Sequence, residues 1–363
     1  MDLGINYCEL KNGISGLLRV CNDAIFIESC VDSCIDALDE LIIIYNDCTD
    51  NSEEIINKCK KKYPRKIRVY KYPYKVFSSN LSEDKFNYVM SLPENSPHLL
   101  SSYYNFGLSK VQYKYAMKID ADQIYFTDKL IKLCSIYRKK KKLKINIVLG
   151  FFISALYSRR FVPKKIKFSI LKVSSCYKNY IEYAEYMACR GKMILSISGI
   201  NIILGEKNAY VPLGNDDKDD AGLLPPFNGV TDHLIFKVNP QTYYKRWYLP
   251  TYNAHKEGKT VIEKFHYQGK VIKYGFMWFH LNMMRSDVYN NYKNQLTNRL
   301  KFISIDDFHR YKMDETFKNS KLNVSMLIDF AVFHSNEKIN YLRYIKMLQK
   351  YLIKIYKLSQ LHY

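Results

Sequence analysis

The 363-residue sequence predicts an α/β fold built on a doubly wound, mostly parallel sheet. Three observations carry the prediction. Near-continuous apolar runs, of which Glu40-Leu41-Ile42-Ile43-Ile44-Tyr45 is the clearest, suit parallel strands covered on both faces. Such runs alternate with helical patterns in the order strand, helix, strand, helix, strand. Two acids, Asp120 and Asp122, stand at the end of a further apolar-leaning run, Tyr113 to Ile119. An open α/β sheet presents ligands there, outside the carboxyl ends of its strands.

The elements follow in order. Residues 16–20 read as a first strand, and Asn22-Asp23 opens a helical pattern through Cys34. After the strand at 40–45, short polar residues cap a helix with Glu53 and Glu54 in its first turn and lysines at its end; Pro64 stops it. Residues 67–70 form a third strand, 74–98 a polar loop, and 101–112 a helix. The strand ending at Asp120 and a helix from about Asp128 to Arg138 come next. Residues 145–155 read as another strand, 194–204 as a strand-pair region, and 229–236 as the start of a helix carrying Asp232. From about Ser304 onward the sequence reads as helix. Its clearest amphipathic stretch places Tyr341, Ile345, Leu348, Leu352 and Ile355 on one face. No acid occurs between Ile339 and Tyr363, and such a helix either lies on an anionic membrane or docks on its own domain.

Composition bounds the function. With 47% hydrophobic residues a sizeable core is expected, and 33 tyrosines supply flat walls with hydroxyl rims. A formal charge of +21 favours polyanionic partners: nucleotides, nucleic acid or an anionic membrane face. No run of 18 apolar residues predicts a spanning helix, and the first residues lack the pattern of a signal peptide. Nine scattered cysteines without a C-x-x-C pair fit a reduced cytosol.

Two carboxylates one residue apart repel unless a cation lies between them. Mg²⁺ and Mn²⁺ favour oxygen ligands and are held by one or two carboxylates plus substrate phosphates. Lys118-Ile119-Asp120-Ala121-Asp122 therefore reads either as an Asp-x-Asp clamp for a metal–diphosphate or as a solvated turn.

Several further pieces recur with this one in a fixed order. Ile44-Tyr45-Asn46-Asp47-Cys48-Thr49-Asp50-Asn51-Ser52-Glu53-Glu54, Lys71-Tyr72-Pro73-Tyr74 and Tyr103-Tyr104-Asn105, together with Lys118–Asp122, resemble the bacterial β-1,4-N-acetylgalactosaminyltransferases of lipooligosaccharide assembly. The likeness is dense from about Gly16 to Lys129 and thin from 130 to 260. It returns weakly at Phe279-His280 and Ile303–Phe308. It implies a GT-A (Rossmann-like) nucleotide-sugar-binding domain over 1–285, with a donor half of about 1–130 and an acceptor half of about 130–285. A helical C-terminal region, 286–363, follows.

The resemblance further implies a UDP-sugar donor, a divalent metal (Mn²⁺ or Mg²⁺) and inverting transfer to a hydroxyl of a glycan or glycolipid such as lipooligosaccharide or capsule. N-Acetylgalactosamine is the expected sugar, with galactose, glucose and N-acetylglucosamine left open. The expected location is cytoplasmic, peripheral on the inner face of the membrane. Asp47 would accept the uracil N–H; Asp50 would bind the nucleotide or only cap a helix; Arg19 and Lys118 are further nucleotide contacts. Asp120 would hold ribose or metal, Asp122 the metal, and His280 would complete the metal shell, with His255 and His266 as competitors. The family pattern puts His where this chain has Gln123. Inversion needs a general base; Asp232 is the choice, with Asp219 and Asp220 as rivals. Tyr103, Tyr104, Trp247 and Trp278 are candidate stacking platforms.

Two other classes compete. A nucleic-acid-binding protein would use the +21 charge, but the basic residues are dispersed and no finger, RRM or helix-turn-helix signature appears, so no nucleic-acid partner is expected. A nucleotidyltransferase would want a Gly-rich phosphate loop, for which Gly13-Ile14-Ser15-Gly16 is too sparse.

Overall fold

The structure is a computed structural model that describes residues 2–78, 81–139, 141–159, 161–204, 209–212, 227–228, 233–249, 259–281, 302–308, 343–344, 346–353 and 355. In chain order the elements are β1 (Lys11–Val20), α1 (Ala24–Cys34), β2 (Glu40–Tyr45), α2 (Ser52–Lys62), β3 (Ile67–Lys71), α3 (Glu83–Ser91), α4 (Leu100–Leu108), β4 (Tyr113–Asp120), β5 (Gln123–Tyr125) and α5 (Thr127–Ser135). Then come α6 (Ile145–Ser158), α7 (Lys164–Lys172), α8 (Ser174–Ala188), β6 (Met193–Asn201), β7 (Ile203–Leu204), β8 (Ala209–Pro212), β9 (Phe227–Asn228) and β10 (Leu234–Lys237). β11 (Tyr243–Leu249), β12 (Thr260–His266), β13 (Lys270–His280), β14 (Phe302–Ser304) and α9 (Ile305–Phe308) follow. The chain forms two compact units, Met1–Gln123 with Ile235–Gly269, and Ile124–Leu234 with Lys270–Tyr363.

In the first unit the strands lie side by side in the order β3-β2-β1-β4-β10. The first four are parallel, and β10 runs antiparallel to β4. The α/β class with a mostly parallel sheet is thus borne out. The chain steps outward from β1 to β2 and β3, then returns to lay β4 on the other side of β1. The strand order reverses between β1 and β4, so the crevice that open sheets use for ligands opens at their carboxyl ends. Every residue of β2 is buried, as its apolar run requires. β11 and β12 pair as an antiparallel ribbon that the sequence reading did not separate. Asn105 fastens it: Tyr244 N donates to Asn105 Oδ1 at 2.8 Å, and Asn105 Nδ2 donates to Tyr244 O at 2.7 Å. A helical side chain thereby does the work of a neighbouring strand.

In the second unit β6 and β13 pair in parallel, and β9 adds antiparallel to β6. β14, β8 and β7 form a small antiparallel sheet. Gly199 on β6 leaves the space that the Trp278 indole fills, since a Cβ there would lie 2.0 Å from Trp278 Nε1. In the last segment Tyr344, Leu348, Leu352 and Ile355 are buried, and the Tyr344 ring stacks on Phe126 at 4.1 Å. Of the two outcomes open for this amphipathic helix, docking on its own domain is the observed one for the described residues.

Four sequence expectations are corrected. Residues 74–98 contain a helix, α3, whose N-cap Ser82 accepts from Lys85 N; its polar composition hid it. Residues 145–155 are helical rather than extended. The apolar run there repeats at 145, 149, 152 and 156, a helical period, and Gly150 packs its backbone side against Asn179 O of α8. Leu234–Lys237 is a strand, β10, where a helix was expected after Gly229. Residues 302–304 form a strand before the short α9.

Candidate active site

The carboxyl ends of β1, β2 and β4 meet around the reversal of strand order. Arg19 is the register partner of Ile44 on β2 and of Asp120 on β4, so guanidinium and carboxylate come from adjacent strands at the same level. Asp122 follows in the turn between β4 and β5 and is 4% exposed. The turn is closed from within: Gln123, fully buried, accepts the Asp120 N–H through Oε1 at 3.2 Å. Where the family pattern has His, this chain thus places an amide that shapes the Asp-x-Asp loop. Beneath it Cys30 Sγ donates to Asp120 O at 3.4 Å. Burial pushes the Cys30 thiol well up, and Cys34, Asp122 and Asp120 push the same way, so it stays a neutral donor.

Arg19 Nε donates to Tyr104 Oη at 3.3 Å. Burial acts to lower its pKa, but Tyr104, the Asp120 carboxylate, Tyr103 and Asp23 outweigh burial and hold the guanidinium charged. The Tyr103 hydroxyl sits between Val20 O at 3.2 Å and Ile44 O at 2.9 Å. It ties the ends of β1 and β2 together and is fully buried, while Tyr104 is 3% exposed and packs its ring on Tyr244 at 4.8 Å. Both rings are walls of the unit.

Two loops form the rim. Asn22, after β1, and Asp47, after β2, both take left-handed backbone, at φ 56° and 50°. Such conformations are uncommon outside glycine and cluster at functional sites. The loops are laced together: Thr49 N donates to Asn22 Oδ1 at 2.7 Å and Asp23 N to Ser52 Oγ at 2.9 Å. Asp50 accepts from Ala24 N at 3.1 Å and from Ser52 N at 2.9 Å. Its carboxylate is committed to two helix starts, the capping alternative read from the sequence. The Asp47 side chain is exposed at the rim.

Lys118 is held in an ion pair beside the Tyr104 ring. Its ammonium bonds Glu263 Oε1 at 3.0 Å, with both side chains under a tenth exposed, and lies 5.3 Å from the centre of the Tyr104 ring. Glu263 was not foreseen, because 145 residues separate the partners. In the second unit His280 ends β13 opposite Asn201, and its Nδ1 lies 2.8 Å from Asn201 Oδ1. Asn201 was likewise missed; no spacing rule links them. Trp278 is fully buried and Trp247 is 43% exposed with Lys264 Nζ 3.9 Å above its ring. His266 pairs its ring with Tyr243 at 4.5 Å. Asp232, Asp219, Asp220 and His255 lie outside the described residues.

Among the described residues no group of three or more His, Cys, Asp or Glu is placed to hold a metal ion. Asp120 and Asp122 nevertheless fit such an ion chemically. They are hard oxygen donors from one turn, the kind that binds Mg²⁺ or Mn²⁺ together with phosphate oxygens.

The buried Asp122, the half-buried Asp120 and the charged Arg19 thus stand where the strand order reverses, the place at which open sheets take ligands. A sequence model of a glycosyltransferase family matches residues 11–152, the segment that carries β1 to β4 and the acids at 120 and 122. That family is CgtA, described as beta-1,4-N-acetylgalactosaminyltransferase. Over this segment, under half of the chain, the likeness read from the sequence is borne out. No curated protein matches the chain. Among solved structures, glucosyl-3-phosphoglycerate synthase from Mycobacterium tuberculosis in complex with Mn²⁺, UDP and phosphoglyceric acid is 20% identical, at a TM-score of 0.21, over 31% of this chain and 34% of that one. The same synthase with Mg²⁺ and UDP gives the same values. With phosphoglyceric acid alone the identity is 21%. The chain thus spans about a third of that protein's length, and at this TM-score the likeness carries no weight for the site.

Proposed function

We propose that this chain is an inverting, metal-dependent GT-A glycosyltransferase that moves a sugar from a UDP-sugar to a glycan hydroxyl. The observation that carries the reading is the pairing of Arg19 with Asp120 across the point where the strand order reverses, with Asp122 buried in the adjoining turn. Asp47, on its strained backbone, receives the uracil N–H. Arg19 balances Asp120 before the donor arrives and faces the diphosphate after it. Asp120 and Asp122 would hold Mn²⁺ or Mg²⁺ together with phosphate oxygens of the donor. The bound ion supplies charge for the departing UDP oxygens. In the second unit the Asn201 side-chain oxygen, 2.8 Å from His280 Nδ1, fixes the orientation of that ring. Asp50 and Lys118 support the site from behind, through the helix starts and the Tyr104 wall.

Asp232 is the base. It takes the acceptor hydroxyl proton as that oxygen bonds the anomeric carbon, and UDP leaves from the opposite face with the electron pair of the broken C–O bond. N-Acetylgalactosamine is the donor sugar by the family match, and lipooligosaccharide or capsule is the acceptor by the resemblance. Residues of about 1–130 serve the donor and about 130–285 the acceptor, followed by the C-terminal region 286–363. Work on a growing surface glycan places the enzyme peripherally on the inner face of the cytoplasmic membrane.

The test is UDP release from a panel of UDP-sugars with and without Mn²⁺, for the wild type and Asp122→Ala. Activity with UDP-N-acetylgalactosamine that falls by about a thousandfold or more in the variant, at unchanged thermal stability, is the expected result. Unchanged turnover in Asp122→Ala sinks the metal assignment. Preference for another UDP-hexose keeps the reaction and changes the sugar.

A further inference from the structure

Helix α6 turns its large apolar side chains outward. Ile145, Leu149, Phe152 and Leu156 form one stripe at i, i+4, i+7 and i+11, exposed by 71, 45, 57 and 45%. The opposite side is the thin one. Ile147 and Gly150 are its buried residues, and a Cβ at Gly150 would lie 2.0 Å from Asn179 O. The glycine lets α6 seat on α8 by its narrow face and so fixes which face looks out. Beyond the helix Phe161 is 77% exposed and Ile166 on α7 is 50% exposed. Large exposed apolar side chains grouped on one helix face, rimmed by charge, mark interaction surfaces.

The chain segment that holds α6 and α7 carries one sign of charge. Between Lys129 and Ile181 the chain has fifteen Lys and Arg and no Asp or Glu. Lys139, Lys142 and Lys144 are exposed just ahead of α6, and Arg159 and Lys172 are exposed beyond it. The Arg159 guanidinium carbon lies 5.9 Å from the Phe161 ring centre. This cationic rim argues against a second copy of the chain as the occupant, since two such faces would repel. It matches an anionic lipid surface, where an apolar face sinks to the acyl boundary and lysines meet the headgroups. No helix among the described residues is long and apolar enough to cross a membrane, so the geometry is that of a helix lying in the interface. In the basic C-terminal segment Tyr344, Leu348, Leu352 and Ile355 are buried in their own unit, and Ile353, 60% exposed, is the one large apolar side chain exposed among its described residues.

We infer that the outer face of α6, with Phe161 and the start of α7, seats this chain on an anionic membrane. The inference rests on the membrane placement of the enzyme and not on its sugar chemistry. The test is flotation of the full chain with vesicles of phosphatidylcholine alone and of phosphatidylcholine with phosphatidylglycerol. The variants are Leu149→Ser/Phe152→Ser/Phe161→Ser and, separately, Lys142→Glu/Lys144→Glu. The wild type should float with the anionic vesicles and come off in high salt. Both variants should lose about tenfold or more of the bound fraction at unchanged thermal stability and unchanged UDP release with a soluble acceptor. Overturning results are a wild type that ignores anionic vesicles, a triple variant that binds them as well as the wild type, or a lipid-free dimer that the triple variant dissolves. If vesicle binding follows the expectation and no UDP-sugar turns over, the surface stands and the sugar-transfer reading falls.

Discussion

The Lys118–Glu263 pair decides whether a lysine beside the Asp-x-Asp motif works on the donor or on the fold. Glu263→Gln leaves the Lys118 ammonium under a tenth exposed, with a neutral amide in place of a carboxylate at 3.0 Å. Removing one partner of a buried pair costs about 3–5 kcal/mol, because the remaining charge is desolvated without compensation. Here the Tyr104 face still offers the ammonium a cation–π contact, worth about 1–2 kcal/mol when desolvated. A net loss of about 2–3 kcal/mol is therefore expected. Lys118→Met should cost a similar amount through the stranded Glu263. The double variant Lys118→Met/Glu263→Leu should recover most of it, since apolar replacement of a whole buried pair is often neutral or stabilising. Urea unfolding of the four proteins measures the cycle, and kcat and KM for the UDP-sugar are read in parallel. Single variants that cost under about 0.5 kcal/mol would refute the buried-pair reasoning. A Lys118→Met protein of wild-type stability whose KM for the donor rose steeply would return Lys118 to the binding site.

Gly199→Ala drives a methyl into the Trp278 indole and should lower stability by about 1–3 kcal/mol, read from denaturant unfolding. Tyr344→Ala removes the ring stacked on Phe126; a loss of about 3 kcal/mol is expected, with any vesicle binding left intact. Burial lowers the Lys273 pKa from 10.5 to about 8. The folded state therefore holds fewer protons than the unfolded chain between about 8 and 10.5, and stability rises with pH across that window. Lys273→Met should flatten this rise and add up to about 3 kcal/mol at pH 7, measured by urea unfolding at a series of pH values.

Much of the first unit was legible because its signals are local. β2 is a continuous apolar run, and α2 has acids at its start, lysines at its end and a proline behind it. The second unit was harder for physical reasons. α6 has the composition of a buried strand, and its helical period shows only once the apolar stripe is recognised as facing outward. The β11–β12 ribbon and the partners of Lys118 and His280 depend on chain segments far apart in sequence, which no periodicity encodes. For Asp120 and Asp122 the sequence named the residues and the level on the sheet. It could not say that Gln123 would turn its amide inward to hold the loop.

Asp47 and Asp50 show how one short motif divides its labour. Both follow the same buried strand, and by residue type they are interchangeable as nucleotide ligands. Asp50 already accepts two backbone N–H groups, so swinging it toward a ligand would strand the first amides of two helices; its loss should act mainly on stability, by about 1 kcal/mol. Asp47 keeps an exposed carboxylate on left-handed backbone that an L residue other than Asn or Asp adopts at a cost. That cost persists because the lacing of Asn22 to Thr49 and of Asp23 to Ser52 overdetermines the loop. Asp47→Gly would relieve the backbone and remove the carboxylate together. If the residue is kept for its side chain, that variant should be at least as stable as the wild type and bind UDP more weakly. If it is kept for the turn alone, stability should rise with UDP affinity unchanged, and the nucleotide role would have to move to another residue of the rim.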